Sequence, residues 1–236
     1  MKQKKDTEIY LDGADLDQIE KFSDDNVIKG FTTNPSLIAQ QNISHYEDFA
    51  KAALKIINNK PISFEVIADA PDEMINQGII INKWSKLVYV KIPITTTTGV
   101  SCIPVIRELN NRGINVNITA VFSTKQIDLL HENLSTTANN IISVFAGRIA
   151  DTGRDPCRYI KYCVDKFTNH ENYKTLWAST REVYNIYQAQ DCQCDIITVP
   201  YSMIGKLANK DRNLEEFSIS TIRQFYTDAL DANLTL

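Results

Sequence analysis

One unit repeats along the chain: a short apolar run followed by a stretch in which apolar residues recur every three or four positions. The short runs are rich in Val and Ile, which is typical of buried strands. The longer stretches have a helical period, as in Leu16, Ile19 and Phe22. We predict strands at 8–11, 27–33, 62–66, 87–93, 114–121, 141–145, 175–179 and 195–199.

Proline, glycine and serine mark several of the predicted helix ends. Pro35 and Pro71 stand at first-turn positions, Pro104 must lie in a first turn or kink its helix, and Ser123 is a cap. Gly113 ends the helix before the fifth strand. We predict helices at 14–22, from Pro35, and at 45–57, 71–84, 100–110, 123–132, 156–167, 181–190, from Ser202, and at about 214–230.

Eight strand–helix units predict a single α/β domain over 1–236, folded as a (β/α)8 TIM barrel with a C-terminal helix at about 214–230. The predicted strands are short and largely apolar, as expected of parallel strands covered on both faces. An open, doubly wound sheet is the main alternative. That fold would need a glycine-rich phosphate loop after the first strand, which the sequence DGAD at 12–15 does not supply.

Composition and charge argue against several classes of function. The chain has 236 residues, 43% hydrophobic, with a net charge of −4 and no basic block, which disfavours nucleic-acid or membrane-surface binding. No apolar run is long enough to span a bilayer, so we expect a cytoplasmic protein. The five cysteines are odd in number and scattered, and no Cys/His pairing has the spacing of a metal site. We therefore expect free thiols and no metal.

Polar residues recur where the predicted strands end. In a barrel of this kind the active site lies at the C-terminal ends of the strands. Residues two apart on a strand share a face, so Asn117 with Thr119, and Ser143 with Phe145, should point inward together. Core packing does not require such a pattern. The strand-end residues are Asp12, Thr33, Asn34, Glu65, Lys91, Asn117, Thr119, Ser143, Phe145, Ser179 and Arg181.

Lys91, at the end of the fourth strand, is the candidate nucleophile. A buried ammonium must be paired, reach solvent or have a lowered pKa, and a neutral lysine amine forms a Schiff base with a carbonyl substrate. A strand-end lysine that only extends to water is the alternative. Asp12 and Glu65 are candidate proton carriers, although two carboxylates could also simply hold Lys91 charged.

A phosphate site is predicted after strands six and seven. Arg148 and Arg181, with the Ser179 hydroxyl, could form a clamp, since the planar guanidinium matches phosphate oxygens. Each arginine could instead form a surface ion pair.

Together these segments resemble the short transaldolases and their relatives, the fructose-6-phosphate aldolases. The resemblance covers nearly the whole chain, from YLD at 10–12 to TVP at 198–200. No single tetrapeptide would be specific, but the set is. It comprises FTTNPSLI at 31–38, FEV at 64–66, VKIP at 90–93, NITAVFS at 117–123, SVFAGRI at 143–149 and ASTR at 178–181.

The resemblance implies a role for each matching position. Lys91 corresponds to the Schiff-base lysine, Asp12 to the acid/base aspartate, and Glu65 to a carboxylate that works through a water held by Thr119. It also implies sugar-phosphate substrates, no cofactor, and a homo-oligomer formed through the C-terminal helix. The substrate-binding residues would be Asn34, Thr33, Asn117, Ser143 and Phe145, and the phosphate-binding residues Arg148, Ser179 and Arg181.

Two positions favour the transaldolase branch. Aldolases tend to carry glutamine in place of Glu65 and tyrosine in place of Phe145, whose ring cannot donate a proton to the enamine. An aldolase using free dihydroxyacetone, or an inactive sugar-phosphate-binding barrel, are the alternatives. The chain departs from the family at Gly13, where threonine is usual, in the loop at 95–99, and at 150–156.

Overall fold

Eight parallel strands close into a barrel in the computed structural model, which describes residues 6–41, 43, 45–134 and 138–235. Each strand pairs with the next in the sequence, and the first pairs with the last. The predicted fold is therefore confirmed, and the open sheet is excluded. The strands are β1 (Glu8–Asp12), β2 (Ile28–Thr32), β3 (Ile62–Glu65), β4 (Val88–Pro93), β5 (Val116–Val121), β6 (Asn140–Val144), β7 (Tyr173–Trp177) and β8 (Ile196–Pro200).

Helices connect the strands, close to the predicted positions. Ser123 and Gln126 form the capping box of α6, and Pro104 lies in the first turn of α5. The helices are α1 (Leu16–Ser23), α2 (Pro35–Gln40), α3 (Tyr46–Ile56), α4 (Pro71–Asn82), α5 (Ile103–Asn111), α6 (Thr124–Asn133), α7 (Ala146–Ala150), α8 (Cys157–Phe167), α9 (Tyr184–Asp191), α10 (Tyr201–Ile204) and α11 (Leu214–Asp231), with a 3-10 turn at Gly205–Asn209.

Helices α5 and α9 each begin three residues later than predicted, because local polar contacts form turns first. Before α5, Thr95 and Ser101 form an antiparallel bridge that closes a small loop. Before α9, the Asn185 side chain accepts hydrogen bonds from the backbone amides of Arg181 and Glu182, at 2.9 and 3.1 Å. The short helix α7, which carries Arg148, was not predicted.

Apolar side chains fill the barrel below the strand ends. One inward-facing cluster contains Tyr10, Ile141, Leu176, Ala178 and Ile196, with Tyr89 and Phe145 packed against it. Tyr10 and Tyr89 stand two residues before Asp12 and Lys91, so this cluster forms the layer beneath those two polar side chains. The polar end of the barrel therefore lies on a largely apolar layer.

The chain divides into two compact units, the barrel through Tyr201 and a unit from Ser202 onward. The second unit contains α11, whose first turn is capped by Asn213 through the amides of Glu215 and Glu216. The helix predicted at about 214–230 is thus confirmed, while a single domain over 1–236 stays a prediction. Among the helices described, not one combines the length and the apolar character that crossing a membrane requires. The five cysteines are free thiols, as expected.

Candidate active site

A cleft of about 500 Å³, counting the space at its open mouth, lies at the C-terminal ends of the strands. It brings together nine of the twelve predicted site residues and leaves out Thr33, Glu65 and Arg181. The cleft is lined by Asp12, Thr32, Asn34, Lys91, Asn117, Thr119, Ser143, Phe145, Arg148, Leu176, Ala178, Ser179 and Thr198.

Lys91 lies in this cleft with its amine held by two neighbours. It is 7% exposed, and its Nζ lies 3.0 Å from Glu65 Oε2 and donates to the backbone oxygen of Thr33 at 2.9 Å. The strand register explains the pair, since Glu65 on β3 stands directly beside Lys91 on β4. Glu65 and Thr33 therefore both contact the Lys91 amine, although neither lines the cleft.

Asp12 reaches the cleft from the end of β1. Its Oδ1 accepts a hydrogen bond of 2.7 Å from the Thr32 hydroxyl, which lies 2.5 Å from the Thr198 hydroxyl. Burial raises the pKa of the Asp12 carboxyl; the positive charge of Lys91 and the Thr32 hydrogen bond oppose that rise, and the Glu65 charge adds to it. The raised pKa brings this carboxyl closer to the range in which it can both take and give a proton.

Asn117 and Ser143 are joined in one polar chain. The Ser143 hydroxyl donates to Asn117 Oδ1 at 2.7 Å, and Asn117 Nδ2 donates to the Ser63 hydroxyl at 3.0 Å. The hydroxyl of Thr119, also buried, has no hydrogen-bond partner within the part of the chain that the structure describes. A buried hydroxyl facing a cleft without a partner is available to a ligand or a water.

Asn34 has a structural contact as well as a place in the cleft. Its Oδ1 caps helix α2 by accepting from the Leu37 amide at 3.0 Å. That bond orients the side chain and leaves the amide nitrogen as its donor.

The short helix α7 carries the cationic side of the mouth. The Arg148 guanidinium lies 5.8 Å from the centre of the Phe145 ring. That ring packs against the ring of Phe122, and the two ring centres are 5.4 Å apart. The helix approaches the next strand end closely: a Cβ on Gly147 would lie 1.6 Å from the backbone oxygen of Ser179. Arg148 and Ser179 therefore lie together at one edge of the cleft.

Arg181 borders that edge, since its Nε would lie 3.1 Å from a Cβ on Gly147, but it does not line the cleft. Its Nη2 pairs with Asp151 Oδ2 at 2.5 Å, and both side chains are about half exposed, at 51% and 56%. Of the three residues predicted to form the phosphate clamp, Arg148 and Ser179 line the cleft. Arg181 instead forms a surface ion pair, which was the alternative prediction for an arginine at this position.

Several contributing residues were not predicted. Thr32 and Thr198 line the cleft, and each is a polar residue in an otherwise apolar strand. Because alternate residues of a strand share a face, this pattern could have indicated that both side chains point inward. Ser63 gives the same signal on β3. Tyr46 gives none: it lies on α3, and its hydroxyl donates to the backbone oxygen of Glu65 at 3.0 Å.

Solved structures share the barrel at low sequence identity. The α subunit of tryptophan synthase from Campylobacter jejuni matches with a TM-score of 0.57 and 13% identity, over 90% of this chain and 92% of that one. Orotidine 5′-monophosphate decarboxylase from Methanocaldococcus jannaschii matches with a TM-score of 0.57 and 12% identity, over 85% and 93%. Likeness at this level shows the fold alone.

Sequence comparison is more specific. A probable transaldolase of Nitrosopumilus maritimus is 32% identical over 201 residues, covering 84% of this chain and 86% of the relative. A probable transaldolase of Caldicellulosiruptor saccharolyticus is 33% identical over 216 residues, covering 89% and 94%. The family described as Transaldolase/Fructose-6-phosphate aldolase matches residues 9–235. The chain therefore belongs to the transaldolase/fructose-6-phosphate aldolase family.

Proposed function

We propose that this chain is a transaldolase that moves a dihydroxyacetone unit from a ketose phosphate to an aldose phosphate through a Schiff base on Lys91. The observation that carries the proposal is the Lys91 amine, 7% exposed, at a strand end of the cleft and 3.0 Å from the Glu65 carboxylate. A lysine so placed can lose its proton to the carboxylate and attack a bound ketone.

The first step forms the iminium. Glu65 takes the proton from the Lys91 ammonium, the neutral nitrogen attacks the ketone carbon, and the resulting carbinolamine loses its hydroxyl as water. Proton transfer to that leaving hydroxyl needs a carrier within hydrogen-bond reach. Glu65 is beside the nitrogen, and the unpartnered Thr119 hydroxyl can hold a bridging water in the same cleft.

The second step breaks the C3–C4 bond. Asp12 takes the proton of the C4 hydroxyl, the C3–C4 electron pair moves toward the iminium nitrogen, and an aldose phosphate leaves. The three-carbon enamine stays on Lys91 until an acceptor aldehyde reverses these steps. Asn34, Asn117 and Ser143 offer the amide and hydroxyl groups that hold its hydroxyls.

In this proposal Arg148 and Ser179, which both line the cleft, bind the phosphate at its edge. Arg181 would join them by leaving Asp151. Because that ion pair is about half exposed, breaking it costs no more than about 1 kcal/mol. The third arm of the clamp is therefore available once a phosphate arrives.

An aldolase that releases free dihydroxyacetone is the second candidate, since the family includes both activities. Phe145 favours the transferase. Its ring lines the cleft and offers no proton to the enamine, so the three-carbon unit is retained until an acceptor takes it.

We also propose that the chain forms a homo-oligomer through α11. This helix exposes three large apolar side chains, namely Ile222 and, about one turn later, Phe225 and Tyr226. Light scattering on the purified protein should give a mass that is a multiple of 26.8 kDa. A mass of one chain at all concentrations would contradict this proposal.

The function is tested by incubating the protein with fructose 6-phosphate, alone and with erythrose 4-phosphate, and identifying the products by mass. With both substrates we expect a seven-carbon ketose phosphate and glyceraldehyde 3-phosphate as products. Without the acceptor we expect slow turnover, and the Lys91→Ala variant should give no product in either condition. Fast release of dihydroxyacetone without an acceptor would establish the aldolase instead. Tight binding of the ketose phosphate with no turnover in either condition would indicate a binding barrel.

A further inference from the structure

Three polar side chains form a hydrogen-bonded row across the junction of β8, β1 and β2. The Thr32 hydroxyl donates to Asp12 Oδ1 at 2.7 Å and lies 2.5 Å from the Thr198 hydroxyl. Thr32 and Thr198 are 3% and 5% exposed, and both line the cleft. The row is thus buried in the protein on one side and open to a ligand on the other.

The strand register places the three residues in this row. Asp12 and Thr32 are direct neighbours on β1 and β2. Thr198 on β8 stands beside Tyr10, two residues before Asp12 and on the same inward face. Thr198 therefore lies one layer below Asp12, and Thr32 bridges the two layers.

The direction of the hydrogen bonds follows from the charge on Asp12. An ionised carboxylate only accepts, so the Thr32 proton must point to Asp12 and the Thr198 hydroxyl then donates to Thr32. Because Thr32 occupies Oδ1, the other oxygen, Oδ2, remains for exchange with the substrate. When Oδ2 is protonated, Oδ1 still accepts from Thr32, so the row holds in both charge states.

We propose that Thr198 and Thr32 are positioning residues that hold the Asp12 carboxyl so that Oδ2 alone carries the proton exchanged with the C4 hydroxyl. The inference rests on the proposed function of Asp12 as the acid/base of the cleavage step. Thr32 acts on Asp12 directly, and Thr198 acts through Thr32. Thr198 lies on β8, the last strand of the barrel. In this proposal the pairing of β8 with β1, which closes the barrel, therefore also helps to orient Asp12.

The row also has an electrostatic effect that a merely structural contact would lack. The Thr32 hydrogen bond holds down the pKa of Asp12, against the upward effect of burial. Cleavage needs ionised Asp12, so the rate falls as the pH drops through this pKa. Losing the Thr32 hydroxyl raises the pKa, and the acid limb of the pH profile moves to higher pH.

The test uses Thr32→Val and Thr198→Val, which remove the hydroxyl and keep the branched shape. The matched control is Thr175→Val, a buried strand threonine outside the cleft whose hydroxyl donates to the Cys163 sulfur at 3.3 Å. We expect the acid limb of kcat/KM to move up by about one pH unit in Thr32→Val. The acid limb should move by less in Thr198→Val and should not move in Thr175→Val. Thr32→Ser, which keeps the hydroxyl, should restore the wild-type pH profile.

A second readout needs no activity. Carbon-13 NMR titration of the Asp12 carboxyl, assigned with Asp12→Asn, should give the highest Asp12 pKa in Thr32→Val, a lower one in Thr198→Val and the lowest in the wild type. If the wild type cleaves no ketose phosphate but the NMR shifts appear, the proposed function fails and the row stands. If both valine variants titrate like Thr175→Val, the positioning role is wrong, whatever the activity.

Discussion

Replacing Gly147 by alanine should distort the edge of the cleft where we propose that phosphate binds, without touching Lys91. The new Cβ would lie 1.6 Å from the Ser179 backbone oxygen and 2.7 Å from its carbonyl carbon. Ser179 cannot turn this carbonyl away at little cost, since its backbone already has φ = +64°, which residues other than glycine seldom adopt. Either α7 or the Ser179 turn must therefore move.

The required movement sets the size of the effect. Ordinary contact at 3.4 Å requires a separation about 1.8 Å larger than the present one. Inserting a methyl group into a site that cannot relax costs about 1–3 kcal/mol, and a backbone clash belongs at the upper end. For a chain of this size the melting temperature should fall by roughly 2–4 °C for each kcal/mol, and so by up to about 12 °C.

The assay combines stability with two substrates. Calorimetry gives the melting temperature, and steady-state kinetics should show a higher KM for fructose 6-phosphate because Ser179 and Arg148 are displaced. Formation of an adduct with unphosphorylated dihydroxyacetone at Lys91 should persist. Gly205→Ala is the control, since a Cβ there meets nothing within 4 Å.

The reasoning would be refuted by a Gly147→Ala protein with the melting temperature and the KM of the wild type. That result would mean that α7 and the Ser179 turn do not meet as described. A lower melting temperature with an unchanged KM would retain the packing argument but separate Ser179 from phosphate binding.

Three further substitutions test other parts of the cleft. Glu65→Gln removes the charge 3.0 Å from Lys91, and ketose cleavage should fall by roughly 100-fold in a coupled assay; full activity would exclude Glu65 as a proton carrier. Asp151→Asn frees Arg181, and KM for fructose 6-phosphate should fall by up to about fivefold, with no change for an unphosphorylated ketose; equal effects on both would argue against a phosphate role. Phe145→Tyr adds a proton donor to the cleft, and acceptor-free release of dihydroxyacetone should rise, whereas an unchanged rate would remove the argument for the transferase from this position.

The barrel was predictable because each of its strands is marked locally. A buried parallel strand needs an apolar run, and the polar residue at the end of such a run, as at Asp12 and Lys91, shows where the mouth lies. Two-residue spacing also placed Asn117 with Thr119 and Ser143 with Phe145 in one cleft. These inferences use only the sequence within one strand and its position in the repeat.

Contacts between distant segments were not predictable in this way. Arg181 pairs with Asp151, which lies 30 residues away in the sequence, and Thr32 contacts Thr198, which lies 166 residues away. No periodicity shows which of two exposed charges will pair. The helix α7, five residues long, is also too short to display a helical period.

The departure at Gly13 has a similar explanation. A Cβ at this position would lie 2.2 Å from the hydroxyl of Tyr201, which follows the last strand. Glycine therefore leaves room for the Tyr201 ring. This ring is parallel to the ring of Phe22, and the two ring centres are 6.4 Å apart. The sequence shows the missing side chain but not the ring that fills its place.

The central claim, a Schiff base on Lys91, is tested most directly by borohydride reduction in the presence of fructose 6-phosphate, followed by intact mass and peptide mapping. We expect a stable three-carbon adduct on the peptide that contains Lys91, and none in Lys91→Ala. Such an adduct would show both the covalent bond and the departure of the aldose half. A folded protein that gives no adduct, or one whose adduct maps to another lysine, would contradict the mechanism.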